Sequence, residues 1–138
     1  YLSPLANNVG YILAIEKLLK IEATPRAQWI RTICAELARV ASHLVWMGSM
    51  AMDVGALTVF LWGFTEREKI LDILDILTGV RFTTSYTRIG GLALDMSDEC
   101  KARLVAFLDQ FIPKFEDCRN LIERNKIFIS INQKSISC

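Results

Sequence analysis

The sequence predicts a mainly α fold, a bundle of helices interrupted by one short β-hairpin or extended loop at about residues 80–96. Three observations predict it. Apolar residues recur at helical spacing through most of the 138 residues. Helix start and stop signals stand at Thr24-Pro25, Ser97-Asp98-Glu99 and Gly79. The pattern changes character only once, in VRFTTSYTRIGGLAL, where threonine, tyrosine, phenylalanine and Gly90-Gly91 replace the helical period.

Each element has its own justification. Residues 4–20 carry Leu13, Ile15, Leu18 and Leu19 at helical spacing. A second helix starts where Thr24 can cap and Pro25 takes the first helical position. Its stripe is Ile30, Ile33, Cys34, Leu37, Ala41, Leu44 and Val45, and Gly55 should weaken it after about residue 52. Thr65-Glu66-Arg67-Glu68 has the form of a capping box and predicts a helix start at 65, with Ile70, Leu71, Leu74 and Leu77 inward and Gly79 as the stop. The last helix opens at Ser97 and buries Leu104, Leu108, Phe111, Phe115, Cys118 and Ile122. Pro113 within that stripe should kink the helix without ending it. Residues 129–138 show no helical period and read as an irregular tail.

Bulk composition excludes several functions. Hydrophobic residues make up 52%, charged residues 22%, and the net charge is +1, so there is neither the basic excess of a nucleic-acid binder nor the polarity of a disordered chain. Cys34, Cys100, Cys118 and Cys138 are far apart, without the spacing of a disulfide framework or zinc site, and read mainly as buried thiols. With one histidine, no histidine-rich metal site is expected. No signal peptide is visible, and both ends have the look of cuts, so the expectation is a single partial domain from within a longer subunit.

Leu44–Phe64, LVWMGSMAMDVGALTVFLWGF, holds one charge in 21 residues, Asp53. The length would suit a membrane span, which needs about 20 apolar residues. Three features favour a buried soluble segment instead. A soluble amphipathic stripe runs into it, a charged helix follows directly, and Gly48, Ser49, Asp53, Gly55, Thr58 and Gly63 interrupt it. Burying a lone carboxylate is costly unless it is paired. Ser42, Ser49 and Asp53 share a helix face. The residues alone leave two readings of Asp53 open: a cap or arginine partner, or a carboxylate lining an apolar cavity and poised for proton exchange.

Other candidates have plainer readings. His43, near Glu36 and Arg39, reads as a helix-surface or helix–helix contact. Trp46, Met47, Met50, Met52 and Trp62 read as core. Glu66, Arg67, Glu68 and Lys69 read as a solvated first turn matched to the helix dipole. Arg81 and Arg88 flank a hydroxyl-rich loop that could meet a partner or cofactor. Gly90-Gly91 lacks the spacing and lysine of a phosphate loop.

Four stretches go beyond periodicity: YLSPLANNVGYILAIEKLLKIE, PRAQWIRTICAELARVASHLVWMG, MDVGALTVFLWGFTEREKILDILDILTG and VRFTTSYTRIGGL. In this order and at these intervals they resemble the quinone-binding D subunit of bacterial NADH:quinone oxidoreductase, the 49-kilodalton-type subunit of respiratory complex I. That family is itself similar to the large subunits of nickel–iron hydrogenases. The resemblance covers about residues 1–128 and implies a fragment of the hydrogenase large-subunit-like fold.

What the resemblance implies is electron and proton transfer to a quinone at a cavity shared with a neighbouring subunit that carries the terminal [4Fe-4S] cluster. The motif D-Y-[LV]-S places the tyrosine that hydrogen-bonds a quinone carbonyl at Tyr1. The motif A-[LM]-D-[LV]-G-A places the aspartate behind the quinone's histidine ligand, and linked to its protonation, at Asp53. Ser49 falls where threonine usually lies beside the headgroup. The family's T-P-F-F reads Thr58-Val59-Phe60-Leu61, so Phe60 and Leu61 would wall the cavity in a different shape. R-M-H-x-x-Y-x-R reads from Arg81 to Arg88, with Thr83 in place of a histidine near the cluster. The resemblance thus puts Arg81, Thr83 and Arg88 near that cluster and implies a cluster potential with little pH dependence. A low-potential quinone such as menaquinone would fit.

No metal is expected on this segment. The implied partners are the other complex I subunits and quinone, and the implied location is peripheral, on the cytoplasmic face of the bacterial inner membrane. The competing expectations are a membrane-bound hydrogenase-type large subunit, whose metal-binding cysteine pairs this segment lacks, and a helical interaction module without chemistry.

Overall fold

The fold comes from a computed structural model that describes residues 2–126 and 128–130. Among the described residues four long helices follow in order: α1 (Pro4–Leu19), α2 (Pro25–Asp53), α3 (Leu57–Thr78) and α4 (Asp98–Glu123). Between α3 and α4 lies a two-stranded antiparallel hairpin, β1 (Thr87–Arg88) and β2 (Gly91–Leu92), with Thr87 opposite Leu92 and Arg88 opposite Gly91. The mainly α expectation and the hairpin within 80–96 both hold.

Most boundaries follow the local chemistry. Thr24 accepts a hydrogen bond from the Ala27 N–H ahead of Pro25, and Ser97 accepts one from Cys100 N–H, each satisfying a free donor of a first turn. Gly79 ends α3 in the left-handed conformation (φ 78°) with its N–H on the Asp75 carbonyl. Pro113 lies inside α4, which continues through it to Glu123.

The capping-box expectation fails. α3 starts at Leu57, eight residues before Thr65, and the Thr65 hydroxyl donates back to the Leu61 carbonyl as mid-helix threonines do. No proline lies between Leu57 and Thr65, and the one glycine there, Gly63, costs only about 1 kcal/mol in a helix, so the helix forms upstream of the apparent box. Glu66 is therefore not in a solvated first turn. It is 2% exposed between α3 and α4, ion-paired to Lys69 at 2.7 Å and to Lys114 at 3.6 Å.

The main core is built from α2 and α3 with one face of α4. Ile30, Cys34, Leu37, Ala41 and Leu44 meet Ile70, Leu71, Leu74 and Leu77, and Cys100, Leu104 and Phe107 close it. A smaller cluster, Ala51, Val59 and Cys118, packs with Trp62 and Met47 nearer the α2–α3 turn. Glycines set the approach of the two helices: a Cβ on Gly48 would lie 3.3 Å from Phe60 Cα, and one on Gly63 would lie 3.0 Å from the Leu44 carbonyl oxygen.

Several burial expectations are corrected. In α1 the buried residues are Leu5, Ile12 and Glu16, while Leu13, Leu18 and Leu19 are exposed, because only one side of α1 meets the bundle. Trp46, Met50 and Met52 are exposed rather than core, and so are Leu108 and Phe115 in α4. The Leu44–Phe64 run is not one buried segment: a turn at 54–56 splits it between two helices, and only their facing sides are covered. Among the described residues no helix is long and apolar enough to cross a membrane.

Candidate functional site at the turn between α2 and α3

The turn is built by a glycine. Gly55 takes φ 85°, its N–H donates to the Met52 carbonyl at 2.9 Å, and the Ala56 N–H donates to the Ala51 carbonyl at 2.8 Å. This pair of bonds is the Schellman arrangement, and it makes Asp53 the last residue of α2. A carboxylate at that position faces the negative end of its own helix dipole, so Asp53 does not serve helix stability. Nor does it have an arginine partner: no hydrogen bond or ion pair to its carboxylate is found among the described residues, and it is exposed in this chain. Both plain readings of Asp53 as a cap or as half of an ion pair are thereby excluded for the described chain.

Apolar surface surrounds the acid in sequence. Trp46, Met50 and Met52 on α2 and Leu57 and Leu61 on α3 are all exposed. Large exposed apolar side chains are a feature of surfaces that meet a further element. Ser49, one turn before Asp53, is half-buried and spends its hydroxyl proton on the Val45 carbonyl at 2.8 Å, leaving an oxygen lone pair free to accept. Phe60 is half-buried on the face that meets Gly48, and Leu61 projects outward.

From Phe60 an aromatic line runs along α3. The Phe60 and Phe64 rings lie 4.6 Å apart, and the Arg67 guanidinium sits 5.9 Å from the Phe64 ring centre and 5.6 Å from that of Phe82. The loop after α3 folds back to bring Phe82 there. Leu2, Arg67, Arg81 and Phe82 then border one narrow crevice. Tyr1 itself lies outside the described residues, as do residues 131–138, most of the expected tail. Arg67 has no ion pair among the described residues, and its Nε is buried without a partner. The expected solvated turn does not hold for Arg67, and the helical spacing of Phe60, Phe64 and Arg67 is the signal in the sequence that marks their common face.

Of the loop and hairpin candidates, Arg81 borders the crevice just described, and Thr83 and Arg88 are not among its lining residues. Arg81 pairs with Glu68 and, at 3.2 Å, with Asp72, so its charge is used within the chain. Thr83 is exposed. Arg88 is exposed and its Nε donates to the Ser85 carbonyl at 2.9 Å. Beneath them is a group that the sequence did not disclose. Arg31 and Glu16, both buried, form a two-bond pair at 2.8 and 2.9 Å, and Arg31 also donates to the Arg88 and Gly91 carbonyls at 2.8 and 2.9 Å. Glu16 accepts the Gly90 N–H at 2.7 Å. The Arg31 hydrogen bond is the main cause that holds the Glu16 carboxyl below its ordinary range, against the opposing effect of burial.

Among the described residues no group of three histidine, cysteine or acidic side chains converges. Cys34, Cys100 and Cys118 are buried free thiols, and burial pushes Cys34 up to about 12 and raises the other two, so all three stay protonated.

Comparison with known proteins gives a consistent result. The family described as "Respiratory-chain NADH dehydrogenase, 49 Kd subunit" matches residues 53–134, more than half of the chain. The chain is 55% identical over 129 residues to a D subunit of the NADH-quinone oxidoreductase of Chloroherpeton thalassium, covering 94% of this chain and 29% of that protein. It is 54% identical to the corresponding D subunit of Methylacidiphilum infernorum, covering 96% of this chain and 32% of that protein. Against a D subunit of Solibacter usitatus the identity is 49%, with 93% and 31% covered. The chain spans about a third of the length of these relatives.

Proposed function

Since the chain belongs to the family of the respiratory-chain NADH dehydrogenase 49 Kd subunit, we propose that its α2–α3 turn forms one wall of a quinone headgroup cavity in an assembled NADH:quinone oxidoreductase. The observation that carries this reading is Asp53: an acid with no partner among the described residues, at the dipole-disfavoured end of a helix, amid exposed apolar side chains that await a cover. Reducing a quinone to a quinol consumes two electrons and two protons. The electrons come from a [4Fe-4S] cluster in a neighbouring subunit, and groups at the headgroup oxygens supply the protons.

Each residue then has a task. Tyr1 hydrogen-bonds a quinone carbonyl and can donate if the developing oxyanion is more basic than its phenolate. Asp53 takes part in re-protonating the site. Ser49 lies beside the headgroup, while Phe60 and Leu61 supply apolar walls that exclude water. Arg81, Thr83 and Arg88 lie towards the cluster-bearing neighbour. The subunit is peripheral, on the cytoplasmic face of the inner membrane, and a low-potential quinone such as menaquinone fits a cluster potential with little pH dependence.

The test is Asp53→Asn in the full-length subunit within the assembled complex. Quinone reductase turnover should fall about a hundredfold, the scale of a lost positioned proton donor, while the terminal cluster is still reduced by NADH. Unchanged turnover would refute the assignment and favour a helical module without chemistry.

A further inference from the structure

The buried charge pair beneath the hairpin has no part in the proposed proton chemistry. Arg31 is 3% exposed and Glu16 is 6% exposed. Such a pair is weak evidence for stability, because apolar side chains of similar volume commonly serve as well in a core. What apolar side chains cannot do is bond the backbone. Here the carboxylate accepts the Gly90 N–H, and one guanidinium nitrogen donates to the Arg88 and Gly91 carbonyls. These three residues are the turn of the hairpin.

The hairpin needs such a grip. Its strands are two residues each, too short to hold their position unaided. Gly90 is left-handed at φ 79°, a conformation set by the turn and held by the Glu16 bond. Asn8 on α1 adds a second tie, its amide donating to the Thr84 carbonyl. Outside the grip, Thr83, Arg88 and Ile89 face solvent.

We infer that Glu16 and Arg31 are positioning residues for the segment 81–92. By gripping the turn backbone they set where Thr83 and the Arg88 side chain stand towards the neighbouring subunit. The inference rests on the reading of this segment as the face turned to the cluster-bearing neighbour. The planar fork pairs with Glu16 through both terminal nitrogens, and that pairing aims one of them at the Arg88 and Gly91 carbonyls, so lysine at position 31 retains the charge but not the placement.

The experiment uses the full-length subunit in the assembled complex, with E16Q/R31M and R31K as clamp variants and Thr83→His as a separate arm. Three quantities are read: the amount of assembled complex, the spectroscopic signature and midpoint potential of the neighbour's cluster, and kcat and KM for quinone. The expected result is assembly with a displaced cluster signature and a kcat about tenfold lower at little-changed KM, the scale of a small misplacement. Assembly with the parent's signature and kcat overturns the inference. If E16Q/R31M does not assemble, R31K decides by the same criteria. Thr83→His separates the two claims. A change there with none in the clamp variants sinks the clamp alone. No change there sinks the orientation of the segment, and the clamp's role with it.

Discussion

Gly63 and Leu44 are in backbone contact: a Cβ on Gly63 would come within 3.0 Å of the Leu44 carbonyl oxygen. Gly63→Ala must therefore push α3 away from α2, at a cost of about 1–3 kcal/mol that outweighs the roughly 1 kcal/mol alanine gains in a helix interior. Gly48→Ala meets Phe60 Cα at 3.3 Å, which demands a smaller shift, so its two effects should nearly cancel. Denaturant unfolding of the full-length subunit checks the order, and equal losses for both would show that the helices are not seated as described.

Glu66 predicts a non-additive series. Its carboxylate is 2% exposed, and one oxygen has no hydrogen-bond partner. Lys69→Met with Lys114→Met should destabilise by about 2–3 kcal/mol, below the value for a fully buried pair because the Lys69 side chain remains 36% exposed. Adding Glu66→Met should recover most of that loss. The measurement is the same unfolding series, and a triple variant no better than the double would mean the acid is not the source of the cost.

Much of this was legible in the chain, and the failures have physical causes. Thr24-Pro25, Ser97 and Gly79 were readable because each acts on groups within a few residues of itself. The Thr65 box misled because its residues satisfy a local pattern that an upstream helix had already absorbed. Glu66, and the Glu16–Arg31 grip on a turn more than 55 residues from Arg31, were not legible. Their roles depend on which faces meet, and no spacing records that. At the candidate site, sequence marked Asp53 and its apolar surroundings but mistook their exposed side for core, since periodicity cannot tell a face covered by its own chain from one left for another.

Acid should act in part through Glu16. Its carboxyl is held below the ordinary 4.5, chiefly by the Arg31 hydrogen bond, so the unfolded chain takes up the proton more readily than the folded one. The stabilisation is complete above about 4.5 and is lost as pH falls through the lower folded value. Glu16→Gln should flatten the acid limb of a stability-versus-pH curve. An unchanged limb would assign acid sensitivity to other carboxylates.

Cys34 is fully buried and its thiol is pushed up to about 12, mainly by burial and then by neighbouring Cys100. At pH 8 almost none of it is thiolate, the reactive form. Iodoacetamide should leave Cys34, Cys100 and Cys118 unmodified in the native protein and label all three in urea, as read by mass spectrometry of peptides. Rapid native labelling of Cys34 would contradict the burial of the inner face of α2 in the core it shares with α3.

Thr83 carries the last prediction. It is exposed at the loop that the proposed arrangement turns to the neighbour's cluster, and a hydroxyl does not titrate near neutral pH. A histidine there would gain a proton when the cluster gains an electron, because the added negative charge raises its affinity for the proton. The wild-type potential should therefore be nearly flat with pH, while Thr83→His should slope by up to about 60 mV per pH unit between the imidazole's oxidised and reduced pKa values, the value for one proton per electron. A redox titration of the terminal cluster at several pH values distinguishes the cases. A steep slope in the wild type would mean that another titratable group sits by the cluster, and that the threonine does not set its pH response.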